Sequence, residues 1–286
     1  MLLAYDQKPA FTKVARRGRR LSANTLLFLL MPVFLAPVAW TVIQSFLPQN
    51  SALRIPPAWV TGHPTFANYS AVFGLIPFLT FLLNSIKITA IVTCGTLVTS
   101  TLAAYAFARL HFPGRDLLFF VLLGALMVPN TVTAAPTYVL MHYLHLATSQ
   151  TAVWLPGLVN VFGIFLLRQF FRSIPRDLED AGRIDGLGTM GVLGRVILPL
   201  SKPALAALVI LIGTTTWNDY FWPSIYLTNQ SQMTLTVGLV SLQGEYRQGS
   251  PLVMFAAVSM TVLPLLFIFI FTQRAITESL AMTSFR

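Results

Sequence analysis

Long apolar runs separated by short polar segments dominate this chain. Thr25 to Phe46 carries no charge and is long enough for the ~20 apolar residues that a helix needs to cross a bilayer. A second run, Ile88 to Ala108, extends back toward Phe78. Leu117 to Leu167 holds no charged residue and is too long for one crossing. The polar stretch His142 to Gln150 divides it into a third helix, Leu117–Met141, and a fourth, Thr151–Leu167. Pro203–Ile225 is the fifth, with one acid inside it, Asp219, and Pro251–Gln273 is the sixth. The pattern predicts an all-α membrane protein of six transmembrane helices in a single domain, 1–286. The first apolar stretch is too long for a secretory signal core and lacks a small-residue cleavage site, so it reads as a retained signal-anchor.

Composition agrees with this pattern. Hydrophobic residues make up 55% and charged residues 10% of the chain, against ~25% charged in an average soluble domain. The mean hydropathy is +0.71. These values exclude an ordinary soluble enzyme and a disordered chain. The net charge is +10, and its distribution sets a direction. With the N-terminus inside, all of the 19 Lys and Arg except Arg54, Lys87 and Arg247 fall in inside segments. The positive-inside rule then puts both termini in the cytoplasm. The basic N-terminus, 1–24, with its run Arg16–Arg20, reads as topogenic and lipid-facing, with no nucleic-acid partner. The single cysteine, Cys94, excludes an internal disulfide and a cysteine-based metal site.

The loops are unequal. The first outside loop, Leu47 to Pro77, contains Pro56, Pro57 and Pro64 and predicts a surface segment with little regular structure. The last outside loop, 226–250, is long and polar. The inside loop 168–202 reads as two short helices joined by a turn. Ser173 is placed to cap the first, Pro175 suits its first turn, and Asp177, Glu179 and Asp180 favour its positive end. Gly186 and Gly188 break it, and Met190 to Leu198 forms the second helix, bounded by Pro199. A compact, charged helix pair suits a groove on a cytoplasmic partner. Packing against the chain's own helices is the other reading.

Within that loop the order is Asp180-Ala181-Gly182, two residues, Asp185-Gly186, nine residues, then Ile197-Leu198-Pro199. It resembles the cytoplasmic loop of binding-protein-dependent ABC importer permeases, whose pattern is Glu-Ala-Ala, a following Gly, and an apolar-x-Leu-Pro ending. Asp180 and Gly182 replace the Glu and the second Ala. Asn84-Ser85, the run Ala103 to Arg109, Pro113-Gly114-Arg115, the run Phe162 to Gln169, Trp217-Asn218-Asp219 and Trp222-Pro223 are similar to the maltose-type sugar permeases. The resemblance runs from about Asn68 to the C-terminus and is to the smaller, six-helix permease subunit.

The resemblance implies a type I, maltose-permease-like ABC importer fold in a bacterial or archaeal cytoplasmic membrane. It implies a heterodimer with a second permease subunit, a pair of ATPase subunits and an extracytoplasmic sugar-binding protein. The chain has no Gly-x-x-x-x-Gly-Lys-Ser/Thr phosphate loop, so ATP and Mg belong to the partner ATPase, and no cofactor, catalytic residue or metal is expected here. The expected function is sugar import through a pathway of which this subunit forms half, with a polyol or glycerophosphodiester as the alternative cargo.

The candidate residues follow. Asp180, Ala181, Gly182, Asp185 and Gly186 are the ATPase-coupling candidates. Asp219 is the only acid within a predicted span, where acids are costly and therefore functional candidates. With Trp217, Asn218 and Trp222 it lines a sugar pathway or belongs to an outer aromatic belt. Asn84 and Asn160 line the pathway or make interhelical hydrogen bonds. Gly244, Glu245 and Arg247 are candidates for contact with the binding protein. An intramembrane enzyme lacks paired carboxylates or a His cluster in the spans, and a channel needs no docking loop. The pair His142 and His145 is weak as a metal site without a nearby carboxylate.

Overall fold

The structure, a computed structural model, describes residues 11–48, 63–245 and 251–283. Its helices are α1 (Phe11–Ser45), α2 (Ala67–Leu75), α3 (Phe78–Arg109), α4 (Arg115–Gly124), α5 (Asn130–Tyr143), α6 (Gln150–Gly157), α7 (Val161–Ser173), α8 (Asp177–Ile184), α9 (Thr189–Leu200), α10 (Lys202–Trp217), α11 (Phe221–Tyr226), α12 (Leu235–Glu245) and α13 (Pro251–Thr283). Four segments are long and apolar enough to cross a membrane: Phe28–Ser45, Phe78–Arg109, Gln150–Ser173 and Pro251–Ile270. The number rises to six when two bent helix pairs are each counted as one span.

The expected third helix is one of these bent pairs. Arg115–Met127 and Asn130–Tyr143 meet at 101°. Pro129 lacks an N–H and disfavours a helical residue before it, and Val128 is accordingly extended at φ −85°, ψ 117°. The expected fifth, Pro203–Ile225, falls within Lys202–Tyr226, which meets the preceding α9 at 78°. The fourth is interrupted between α6 and α7. Two of the expected loops contain helices, although the first was expected to have little regular structure. In the first loop α2 follows Pro64, while Pro56 and Pro57 lie outside the described residues. In the last loop α12 forms over Leu235-Thr236-Val237-Gly238-Leu239, an apolar run too short to cross a bilayer. It is nonetheless packed: Phe81 lies directly against Gly238 where a Cβ would project.

The chain divides into two compact units. The first comprises Met1–Ala71 and Gly249–Ser259. Here Asn68 closes the end of α1 by donating from Nδ2 to the carbonyls of Ser45 and Leu47 at 2.9 and 2.7 Å. Phe46 packs edge-on to Phe66, and Leu47 is buried with Leu252.

The second unit, Val72–Gln248 and Met260–Arg286, is organised around α3. One face of α3 carries buried Ser85, Thr89, Thr93, Thr96, Ser100, Ala104 and Ala108. Small residues and hydroxyls at three- and four-residue spacing let neighbouring helices approach closely. Leu158 fills the space over Gly95, and Gly163 of α7 faces Ser100. The interruption between α6 and α7 frees backbone carbonyls, and α3 supplies their donors. Thr96 Oγ1 donates to Gly157 O at 2.9 Å and Thr99 Oγ1 to Leu158 O at 2.6 Å. In an apolar setting these groups need such partners.

A Cβ on Gly163 would sit 2.7 Å from Ser100 Oγ and 3.2 Å from Leu208 Cδ1. Gly163→Val is therefore expected to cost about 1–3 kcal/mol through overpacking, read as a lower unfolding midpoint in detergent. Gly124→Ala, at a helical position with no atom within 4 Å of the added Cβ, is the control expected to leave the midpoint unlowered.

Candidate functional site

Two places gather the residues singled out from the sequence. The first is the loop 168–202. Helix α8 begins at Asp177, with acids Asp177, Glu179 and Asp180 in its first turn. Arg176 precedes it and no side chain caps it. Ser173 bonds back to Phe170 O at 2.7 Å and does not perform the expected cap, because α7 continues through it. The end of α8 is a Schellman motif: Leu187 N donates to Gly182 O at 2.9 Å and Gly186 N to Arg183 O at 3.0 Å. Gly186 sits at φ 86°, a conformation that glycine adopts without a Cβ clash.

Asp180, Ala181 and Asp185 are exposed, as are Leu178 and Ile184. Gly182 is buried, and a Cβ there would lie 3.3 Å from both Leu187 and Val196. Its small size serves the fit of α8 onto α9. The other buried residue of α8 is Glu179. Its Oε1 lies 2.5 Å from Arg109 Nε, and both side chains are 4% exposed. Arg109, the last residue of α3, also donates from Nη2 to Phe171 O and Ile174 O, each at 2.6 Å. One guanidinium thus satisfies the Ile174 carbonyl in the break after α7, adds a second donor to Phe171 O, which also accepts from Ile174 N, and neutralises the acid in the first turn of α8. Nearby, Arg168 lies over the Phe119 ring at 3.8 Å from its centroid and donates to Phe107 O.

The second place is a cavity of about 680 Å³ inside the second unit. Helix α5 contributes Asn130, Thr131, Thr133 and Thr137, and α10 contributes Thr215 and Thr216. Gly157, Val159 and Asn160 line it from the α6–α7 interruption, and Asp219, Phe221 and Trp222 from the α10–α11 interruption. Asn160 Oδ1 accepts from Gly163 N at 2.8 Å and caps α7. Asp219 lies in the break after α10. Its Oδ1 accepts from Phe221 N at 2.9 Å and Trp222 N at 3.4 Å, which sets the first turn of α11. Trp222 stacks on Tyr226, which stacks on Tyr138, with interplanar angles of 8° and 12°.

Of the six pathway candidates, Asn160, Asp219 and Trp222 therefore line this cavity. Trp217 is buried in the helix packing, and Asn218 Nδ2 returns to Thr214 O of its own helix at 2.9 Å. Asn84 donates to Ser231 O and Met233 O, both at 3.0 Å, and holds the segment before α12 to α3. Sequence reasoning missed the hydroxyls. Thr214-Thr215-Thr216 and Thr131/Thr133/Thr137 are polar clusters within apolar runs, and that was their available signal. Gly244 and Glu245 close α12, and Arg247 lies outside the described residues.

Comparisons with known proteins follow the same lines. Residues 95–281 match the family of binding-protein-dependent transport system inner membrane components. The chain is 34% identical to the arabinooligosaccharides transport system permease protein AraQ of Bacillus subtilis, over 88% of this chain and 91% of that one. It is 31% identical to the sn-glycerol-3-phosphate transport system permease protein UgpE of Yersinia pestis, over 91% and 95%. Its fold matches a chain of a bacterial ABC transporter involved in import of the acidic polysaccharide alginate, with TM-score 0.75, 23% identity, and 96% and 99% of the two chains covered.

The α8–α9 geometry separates two kinds of substitution. Gly182→Val should destabilise the permease by about 1–3 kcal/mol, because it crowds Leu187 and Val196. The loss should appear in thermal unfolding of the isolated chain, with no ATPase present. Ala181→Val, at an exposed site, should stay within about 0.5 kcal/mol in the same measurement.

Proposed function

Because the chain belongs to the binding-protein-dependent ABC importer permeases of the carbohydrate-uptake type, we propose that it carries an uncharged sugar or short oligosaccharide inward through the α5–α10 cavity. The lining carries the proposal. It offers hydroxyls, two amides, one carboxylate and one indole, and no Lys, Arg or His among the described residues. Sugars present hydroxyl edges and apolar faces, which match Thr and Asn groups beside an aromatic ring. An anionic cargo would instead meet Asp219. Like charges 4 Å apart repel by about 4 kcal/mol at an effective dielectric of about 20. The arabinooligosaccharide relative is therefore the better guide to cargo than the glycerol-phosphate and alginate systems.

The two units act as one permease domain, 1–286. In this reading the chain crosses six times with both termini in the cytoplasm, a topology supported by the one-sided Lys and Arg distribution. The exposed face of α8, with Leu178, Ala181, Ile184, Asp180 and Asp185, docks an ATPase subunit that supplies ATP and Mg. The chain performs no catalysis and binds no cofactor. A second permease subunit forms the other half of the pathway. The segment ending in Gly244, Glu245 and Arg247 faces the sugar-binding protein outside.

Purification of the intact complex with its binding protein tests this reading. Arabinotriose is expected to bind that protein and to enter proteoliposomes with ATP, whereas sn-glycerol 3-phosphate is not; the reverse preference would overturn the cargo assignment. Trp222→Ala should slow uptake of the neutral sugar about two- to twelvefold, in line with ~0.5–1.5 kcal/mol of ring contact. Asp219→Asn keeps an Oδ1 acceptor for α11 while removing the charge. It should raise uptake of an anionic galacturonide relative to its neutral galactoside analogue in paired transport assays.

A further inference from the structure

We propose that the Arg109–Glu179 ion pair is the joint through which movement of α8 reaches the cavity, with both acting as positioning residues. The proposal rests on the reading that α8 docks the ATPase. It goes beyond that reading by naming the path that the motion takes.

The geometry is specific. Helix α8 has eight residues and no side-chain cap, and it buries only Glu179 and Gly182. Gly182 meets Leu187, Val192 and Val196, which belong to the turn and to α9. Glu179 reaches across to a different element, α3, at 2.5 Å from Arg109. The same guanidinium holds Phe171 O and Ile174 O at 2.6 Å. It therefore ties together the end of α3, the end of α7 and the start of α8. A charged fork with three partners fixes direction as well as distance.

Beyond the joint, α3 and α7 move as a block. Gly163 of α7 is seated on Ser100 of α3, and Arg168 of α7 donates to Phe107 O of α3 at 3.2 Å. Farther along α3, the Thr96 and Thr99 hydroxyls hold the carbonyls of Gly157 and Leu158. Those carbonyls lie at the interruption whose residues Gly157, Val159 and Asn160 wall the cavity. A displacement of α8 is thus delivered to the cavity through an ion pair, a close helix packing and hydrogen bonds in series.

A purely structural pair would behave differently. Removing one partner strands a buried charge, whereas replacing both by apolar groups removes the two charges together and leaves only the Ile174 carbonyl short of its Arg109 donor, a loss that thermal unfolding of the isolated chain reads separately. Three variants separate the roles: Glu179→Gln, Arg109→Lys, and the double variant Arg109→Met with Glu179→Leu. The readouts are ATPase co-purification and the ratio of binding-protein-stimulated to basal ATP hydrolysis in the reconstituted complex. The ATPase is expected to co-purify with all three. The ratio should fall at least fivefold in Glu179→Gln and in the double variant, with Arg109→Lys intermediate. A ratio within twofold of wild type in the double variant overturns the joint, and this variant decides the matter if a single one fails to fold. Loss of ATPase from Glu179→Gln alone would assign Glu179 to docking and also overturn it. Absence of ATPase from the wild-type complex would instead remove the docking reading on which the joint rests.

Discussion

Where an apolar helix breaks, it exposes backbone N–H and C=O groups in surroundings with little water to satisfy them. That constraint shapes the second unit of this protein. Each unpaired group costs several kcal/mol in hydrocarbon, so a break persists only where side chains answer it. At 158–160 the donors are Thr96 and Thr99 of α3, and the acceptor is Asn160 for Gly163 N. At 218–220 the acceptor is the Asp219 carboxylate, and Thr236 donates to the Asp219 carbonyl at 2.7 Å. At 174–176 the donor is Arg109. The fold of the unit is in large part the arrangement that lets α3 and its neighbours supply these partners.

The same arrangement creates the functional surfaces. Continuous helices would pack without a polar cavity between them. The interruptions after Gly157 and after Trp217 turn the chain aside and leave hydroxyls and amides facing the space between α5 and α10. Asp219 illustrates the economy of this design. Its carboxylate sets the first turn of α11, which carries Trp222, and it also gives the cavity its only charge among the described lining residues. The proposed selective role would coincide there with a structural one, so a substitution must preserve the acceptor before any effect on cargo can be read.

Much of this was legible in the sequence, and the limits have physical causes. Span positions follow from charge-free runs, and the ends of α3 fall where the pattern put them. The bend at Pro129 was visible as a proline inside an apolar run, yet run length alone suggested a continuous helix. Helix α12 was hidden because its run is shorter than a span and follows the polar stretch Thr228 to Gln232. Gly182 was visible as a small residue, but the sequence does not say which surface a small residue fits; the Schellman turn brings Leu187 back over it. The Arg109–Glu179 pairing was not legible, since 70 positions separate the partners and each has a sufficient local explanation, one as a topogenic charge and one as a helix-start acid.

The use of a buried ion pair at that position calls for a reason other than stability. Desolvating two charges costs about as much as their attraction returns, and well-packed apolar residues of the same volume often do as well or better. Apolar contact is non-directional, however. A short helix held on a neighbouring helix end by a leucine could slide or rotate with little penalty. Arg109 removes that freedom, because its fork must satisfy two carbonyls of α7 while facing one carboxylate of α8. Any rotation of α8 that carries Glu179 away leaves a buried charge unmatched. The position of α8 is therefore set by an electrostatic requirement, while its exposed face stays free to be shaped by a partner. Under the proposed role of α8 in coupling, such a fixed register is worth more than added packing.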